Sequence, residues 1–237
     1  MAEQPKIEKL TERIKGIRQA CLGDGSALLN AYRWDPKRDL RLTSNTRLTR
    51  LITGLCVSFV YVSSPDQDQT LKDMRLPSEK GIPVIEYQAV NELFLKMGFV
   101  SSLFSVVESV LRDYLLYLDE AAYKSSKGVV PICECLLNEK LTWDRTIIDC
   151  QVVDFLRLIR NSLHNNGVHR PRKKSERHVQ HEYRGSKFEF VDGKRLDFVS
   201  WDLLFDIADD VREMLFHLAH DKTISSIVGL IPDKNAI

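Results

Sequence analysis

The sequence lacks an excess of either charge: 34 Lys and Arg stand against 33 Asp and Glu, a formal net charge of +1. That balance excludes a chain drawn as a whole to nucleic acid or to an anionic membrane, so any pull on a polyanion must come from local clustering. Long apolar runs are missing too. The longest window, LITGLCVSFVYV at 51–62, is too short to span a bilayer. The start, MAEQPKIEKLTERIKG, is charged throughout and does not read as a signal peptide. Cysteine is sparse, five residues at irregular spacing, which argues against a disulfide framework. Cys133 and Cys135 in ICEC, and His217 and His220 in FHLAH, lack the CxxC and HxxxH spacing of common zinc sites. They read as buried thiols and helix histidines. Together these absences lead to the expectation of a cytoplasmic protein without membrane, metal or cofactor. No internal repeat or low-complexity segment is present.

What is present is an ordinary globular composition, 43% apolar and 28% charged over 237 residues, with enough chain to bury a proper core. Ile7, Leu10, Ile14, Ile17 and Ala20 recur at helical spacing and predict a helix over 3–31. RWDPKRDLRL breaks that pattern, and an apolar run resumes over 45–62. It reads as a helix, although the β-branched residues of VSFVYV also suit a strand. The stretch 63–83 holds three prolines and a glycine among polar residues and reads as a linker.

A long helix is expected over about 86–118, interrupted near Gly98. Its second half sets Ser101, Ser105, Glu108 and Arg112 along one stripe, opposite Phe104, Val107, Leu111, Tyr114 and Leu115. Glu108 and Arg112 stand at i, i+4 and pair. A shorter helix near 131–139 and another over 143–165 follow. KFEFVDGKRLDF alternates around Asp192-Gly193, a tight-turn dipeptide, and predicts a β-hairpin over 187–198. Ser200 caps a last long helix. The expected fold is mainly α, a helical bundle with one small hairpin and additional N-terminal helices. The linker divides it into an N-terminal helical region, 1–80, which also fits within the same domain, and a helical domain, 81–237.

The 143–165 helix ends on RLIRNSLHNNG. Wound at about 100° per residue, it gathers Val152, Phe155, Leu156, Ile159 and Leu163 on one side. Asp154, Arg157, Arg160, Asn161, His164 and Asn165 gather on the other, and Gly167 falls where a left-handed cap commonly lies. A solvated face is the commoner reading of any polar stripe, but such faces rely on Lys and Glu, and neither occurs here. Arg160 and His164 are i, i+4 neighbours that can converge on one small group. Guanidinium offers a fork of donors matched to phosphate oxygens, and imidazole exchanges a proton near neutrality. With no carboxylate cluster for a divalent ion, the pair suggests metal-independent phosphodiester cleavage, in which a 2′-hydroxyl of RNA attacks and Arg160 steadies the developing charge. The stretch just beyond holds Arg170, Arg172, Lys173, Lys174, Arg177, Arg184 and Lys187, a local footprint for a polyanion.

At Arg160-Asn161 and His164 the sequence resembles the HEPN superfamily of helical proteins, many of them ribonucleases. The family signature is an arginine, then a polar residue such as asparagine, and a histidine a turn or two later. RNSLH leaves only three intervening residues, shorter than the usual gap; Arg157 leaves six, but Leu158 then fills the polar position. Which arginine corresponds is open on spacing alone. LFSVVESVLRDYLL also looks like the first core helix of such domains, with Glu108, backed by Arg112, as the acidic residue facing the motif. The resemblance covers about 85–220. It implies an all-α homodimer with two motif helices meeting at a cleft, and metal-free cleavage that leaves 2′,3′-cyclic phosphate. It also implies a setting in antiviral defence or a toxin–antitoxin system, with a cognate antitoxin or regulatory partner. Two other readings stand beside the nuclease: a catalytically silent HEPN-like module that binds RNA, nucleotide or protein, favoured by the short spacing, and a scaffold that docks a partner through its hairpin and basic loop.

Overall fold

Burial of one apolar stripe per helix organises the chain. The computed structural model describes residues 4–62, 84–141 and 146–235. Among them, eight α-helices and one two-stranded antiparallel sheet occur, so the fold is mainly α with a small hairpin. The expected linker, 63–83, lies outside the described residues.

Helix α1, Gln4–Ala31, and helix α2, Leu40–Val62, pack against each other. Leu10, Ile14, Ile17 and Cys21 form the buried stripe of α1, and Leu48, Ile52, Leu55 and Phe59 that of α2. The β-branched VSFVYV is helical, because Leu55 and Phe59 keep the helical period that a strand would break. Both helices share one apolar core with the rest of the chain. Arg41, fully buried, ties the C-terminal segment to the start of α2. It pairs with Asp39, donates to the carbonyls of Ile224, Ile227 and Gly229, and lies 4.2 Å from the Trp34 ring centroid. A buried guanidinium is tolerable only because its donors are satisfied in this way.

Helix α3, Val84–Leu118, runs straight through Gly98, where an interruption was expected. A mid-helix glycine costs about 1 kcal/mol, and burial of Phe99, Val100 and Leu103 directly after it outweighs that. Phe104, Val107, Leu111, Tyr114 and Leu115 face the core as the stripe predicted. The segment Val90–Leu118, with mean hydropathy 1.5, is long and apolar enough to cross a membrane by length and composition. Its apolar stripe enters the protein core, and it carries Glu92, Lys96, Glu108, Arg112 and Asp113.

A short α4, Glu120–Ser125, is capped by Asp119, and α5, Val129–Glu134, continues into a π-helical turn, Cys135–Lys140. Helix α6, Thr146–His164, packs on α3 and on α7, Trp201–His220, with α8, Lys222–Ser225, following. Ser200 Oγ accepts from the Leu203 amide, 3.1 Å, as the cap of α7.

The hairpin lies earlier than predicted. Strand β1, His178–Tyr183, pairs with β2, Ser186–Val191, around Arg184-Gly185, not over 187–198 around Asp192-Gly193. Arg184 and Gly185 have φ of 49° and 74°, the left-handed pair that a tight hairpin turn with matching twist requires. Aromatic packing decides the register. His181 and Tyr183 of β1 and Phe188 of β2 have ring centroids 4.8, 5.0 and 4.9 Å from that of Phe155 on α6. Asp192-Gly193 also turns the chain, but it sends 194–196 back toward 167–169 rather than into a second strand.

Candidate functional site

Helix α6 divides as its periodicity predicts. Val152, Phe155, Leu156, Ile159 and Leu163 are buried; Asp154, Arg157, Arg160 and Asn161 are half-buried, and His164 and Asn165 exposed. Asn166 and Gly167, with φ of 56° and 79°, end the helix, and the Ser162 carbonyl accepts from the Asn165 and Gly167 amides, each at 3.0 Å. This left-handed exit turns the chain back over the polar face.

The returning loop is fixed at both ends. Val168 bridges to Arg195, and the His169 amide donates to the Lys194 carbonyl at 2.9 Å. The His169 side chain, 3% exposed, has Nδ1 3.3 Å from Ser162 Oγ and Nε2 2.8 Å from the Glu176 carbonyl. A carbonyl only accepts, so Nε2 carries a proton. The Glu176 carboxylate meets Arg157 Nη1 at 3.4 Å. Between helix and loop opens a cleft of about 530 Å³, lined by Arg157, Arg160, Asn161 and His164 from α6 and by Arg170, Arg172 and Lys173 from the loop, with Glu176 as the carboxylate.

Spacing left the choice between two arginines open, and their environments differ. Arg157 is committed: Nε donates to Asp154 at 2.8 Å, and Nη1 faces Glu176. Arg160 meets no carboxylate among the described residues. Its Nη1 donates to Asn161 Oδ1 at 3.1 Å, its guanidinium carbon lies 5.5 Å from the Phe104 ring centroid, and its buried Nε has no hydrogen-bond partner among the described residues. Arg160 therefore leaves its charge and part of its donor set uncommitted, whereas Arg157 links helix and loop. His164 projects beside it, with Nε2 3.2 Å from Ser101 Oγ on α3.

Other expected site residues fall outside the lining. Glu108 and Arg112 pair with each other at 2.7 Å on α3, as their spacing predicted, and neither lines the cleft. Lys174 opens a short 3₁₀ turn, and Arg177 lies 3.7 Å from Asp192. Arg184, counted in the basic footprint, instead binds Asp206 and Asp210 on α7, and Lys187 pairs in register with Glu182 across the hairpin. Of the seven cations in the stretch, three reach the cleft.

Sequence reasoning missed His169, Glu176 and the Ser162 hydroxyl, and it placed Ser101 on the polar stripe of α3 without foreseeing its contact with His164. His169 and Glu176 stand inside a run of basic residues whose charge dominates any reading, and His169 meets Ser162 only because the left-handed exit at Asn166 and Gly167 folds the chain back after the helix has ended. Beneath the site, His181 is buried against Phe155, and its Nδ1 lies 4.0 Å from Asp154. Burial holds its imidazole below the ordinary value, opposed by the Asp154 carboxylate. Cys133 lies against Cys150, while His220 packs on Phe216 and Tyr32. No group of three or more His, Cys, Asp or Glu among the described residues is placed to hold a metal ion.

No protein-family model, curated protein or solved structure matches the chain.

Proposed function

We propose that the cleft cleaves RNA, as a metal-independent endoribonuclease of HEPN type. The observation that carries this reading is Arg160, which meets no carboxylate among the described residues yet shares a cleft of about 530 Å³ with His164 and three loop cations. Arg170, Arg172 and Lys173 supply the field that attracts the backbone. His164 accepts the proton of a 2′-hydroxyl, whose oxygen attacks the adjacent phosphorus. Arg160 stabilises charge on the non-bridging oxygens, and the 5′-oxygen departs with a proton taken from water, the His164 imidazolium then returning its proton to solvent. The products are a 2′,3′-cyclic phosphate and a 5′-hydroxyl.

The C-terminal end of α6 carries the negative end of the helix dipole, a weak place for a phosphate. An isologous homodimer, bringing Arg157, Arg160 and His164 of two chains around one scissile phosphate, offsets that and is part of the proposal. A defence or toxin–antitoxin setting, with a regulatory partner, rests on the family resemblance alone.

A second reading, a silent module that binds RNA, nucleotide or protein without cutting, is favoured by the contact of Ser101 with His164 Nε2 and by the short spacing of RNSLH. Incubation of purified protein with total RNA in excess EDTA, followed by mapping of the ends, separates the two. Discrete cuts ending in cyclic phosphate support the nuclease. Binding without cuts supports the silent module.

A further inference from the structure

Far along α6 from the cleft, two thiols face each other across helices. Cys133 on α5 is fully buried, Cys150 on α6 is half-buried, and their sulfurs are 3.1 Å apart. A disulfide bond is about 2.05 Å long, so about 1 Å of approach separates the contact from a covalent link. Three further cysteines do not share this contact: Cys21 and Cys56 are buried on α1 and α2, and Cys135 faces Glu139 at 3.4 Å.

We infer that Cys133 and Cys150 form an oxidation site, converted to an intramolecular disulfide by low-molecular-weight disulfides such as oxidised glutathione. The reaction balances in two exchanges. The Cys150 thiolate, the solvent-facing partner, attacks one sulfur of oxidised glutathione and releases one glutathione thiolate, leaving a mixed disulfide. Cys133 then gives its proton to solvent base and attacks Cys150 Sγ, releasing the second glutathione. Two protein thiols are oxidised and one glutathione disulfide is reduced.

The order follows from the surroundings. The hydrogen bond with Cys150, then burial, pushes the Cys133 thiol far above the ordinary range. Cys133 is therefore a poor first attacker, and the second exchange is slow and speeds up with rising pH. The finished bond joins α5 to α6 and restricts the unfolded chain between them.

The test treats the full-length protein with excess oxidised glutathione at pH 8, blocks residual thiols with iodoacetamide and maps tryptic peptides. The expected product links peptide 128–140, holding Cys133 and Cys135, to peptide 146–157, holding Cys150. The Cys135→Ser variant assigns the bond and should link to the same extent. Cys133→Ser should stop at a glutathione adduct on Cys150. The oxidised protein should melt higher than the reduced one, and dithiothreitol should reverse both changes. Absence of the link in wild-type protein, a persistent glutathione adduct on wild-type Cys150, or loss of the link in Cys135→Ser would each overturn the proposal.

Discussion

Ser101 Oγ on α3 lies 3.2 Å from His164 Nε2 on α6, so the one histidine exposed on the polar face of α6 is held from a neighbouring helix. A hydrogen bond of this kind is worth about 0.5–1.5 kcal/mol. Orienting His164 for proton transfer, it should make Ser101→Ala lower RNA cleavage by up to about tenfold while leaving RNA affinity unchanged and lowering the melting temperature by no more than a few degrees. Faster cleavage by the variant would show instead that Ser101 restrains the histidine.

Arg157 and Arg160 should separate on mutation. Arg157→Ala removes the link from Asp154 to Glu176 and should cost about 1 kcal/mol of stability. It should also expose the loop to trypsin at Arg172, Lys173 and Lys174. Arg160→Ala leaves no carboxylate unpaired, so stability and proteolysis should stay near wild type. Urea denaturation and limited proteolysis check both, and equal loss of stability in the two variants would contradict the division of roles.

Charges that line the cleft should carry the salt dependence of RNA binding. Arg172→Ala with Lys173→Ala should reduce the log–log slope for single-stranded RNA by about 0.7 per phosphate contact removed. Lys174→Ala with Arg177→Ala, outside the lining, should change it less. Filter binding across a salt series measures both, and identical slopes would mean that the loop is merely solvated.

His181 should give the protein an acid-sensitive stability. Burial keeps the folded imidazole below its ordinary value near 6.5, against the pull of Asp154 and with Arg157 adding to the depression. The unfolded chain therefore binds the proton first as pH falls. The contribution is full above about pH 6.5 and is lost as pH drops toward the folded value. His181→Phe, which keeps a ring against Phe155, should flatten this part of the profile. Urea midpoints at pH 7.5 and 5.5 test it, and an unchanged pH slope in the variant would assign the effect elsewhere.

The sequence made α6 legible because both of its faces obey one period, and each assigned core residue of that helix is buried. Its polar face was equally readable, but the split between Arg157 and Arg160 was not, because it depends on Glu176 arriving from a loop. The hairpin slipped because Asp-Gly is the stronger local turn signal, whereas the aromatic cluster around Phe155 rewards a turn at Arg184-Gly185. Gly98 looked like a break because local propensity was weighed without the core that surrounds the next turn. The basic stretch gave charge without direction: Arg184 is spent on α7, and only the pin made by His169 shows which cations overlook α6.

Whether Arg160 and His164 act on RNA within this cleft is measured directly by binding and cleavage of one RNA, in EDTA, by wild type, Arg160→Ala and His164→Ala. His164 is exposed and the half-buried Arg160 touches the core only at the Phe104 ring, so each variant should keep a cooperative thermal transition. His164→Ala should bind RNA like wild type but not cut it. Arg160→Ala should bind more weakly and also fail to cut. Cleavage by both variants at the wild-type rate would show that neither Arg160 nor His164 takes part in the reaction.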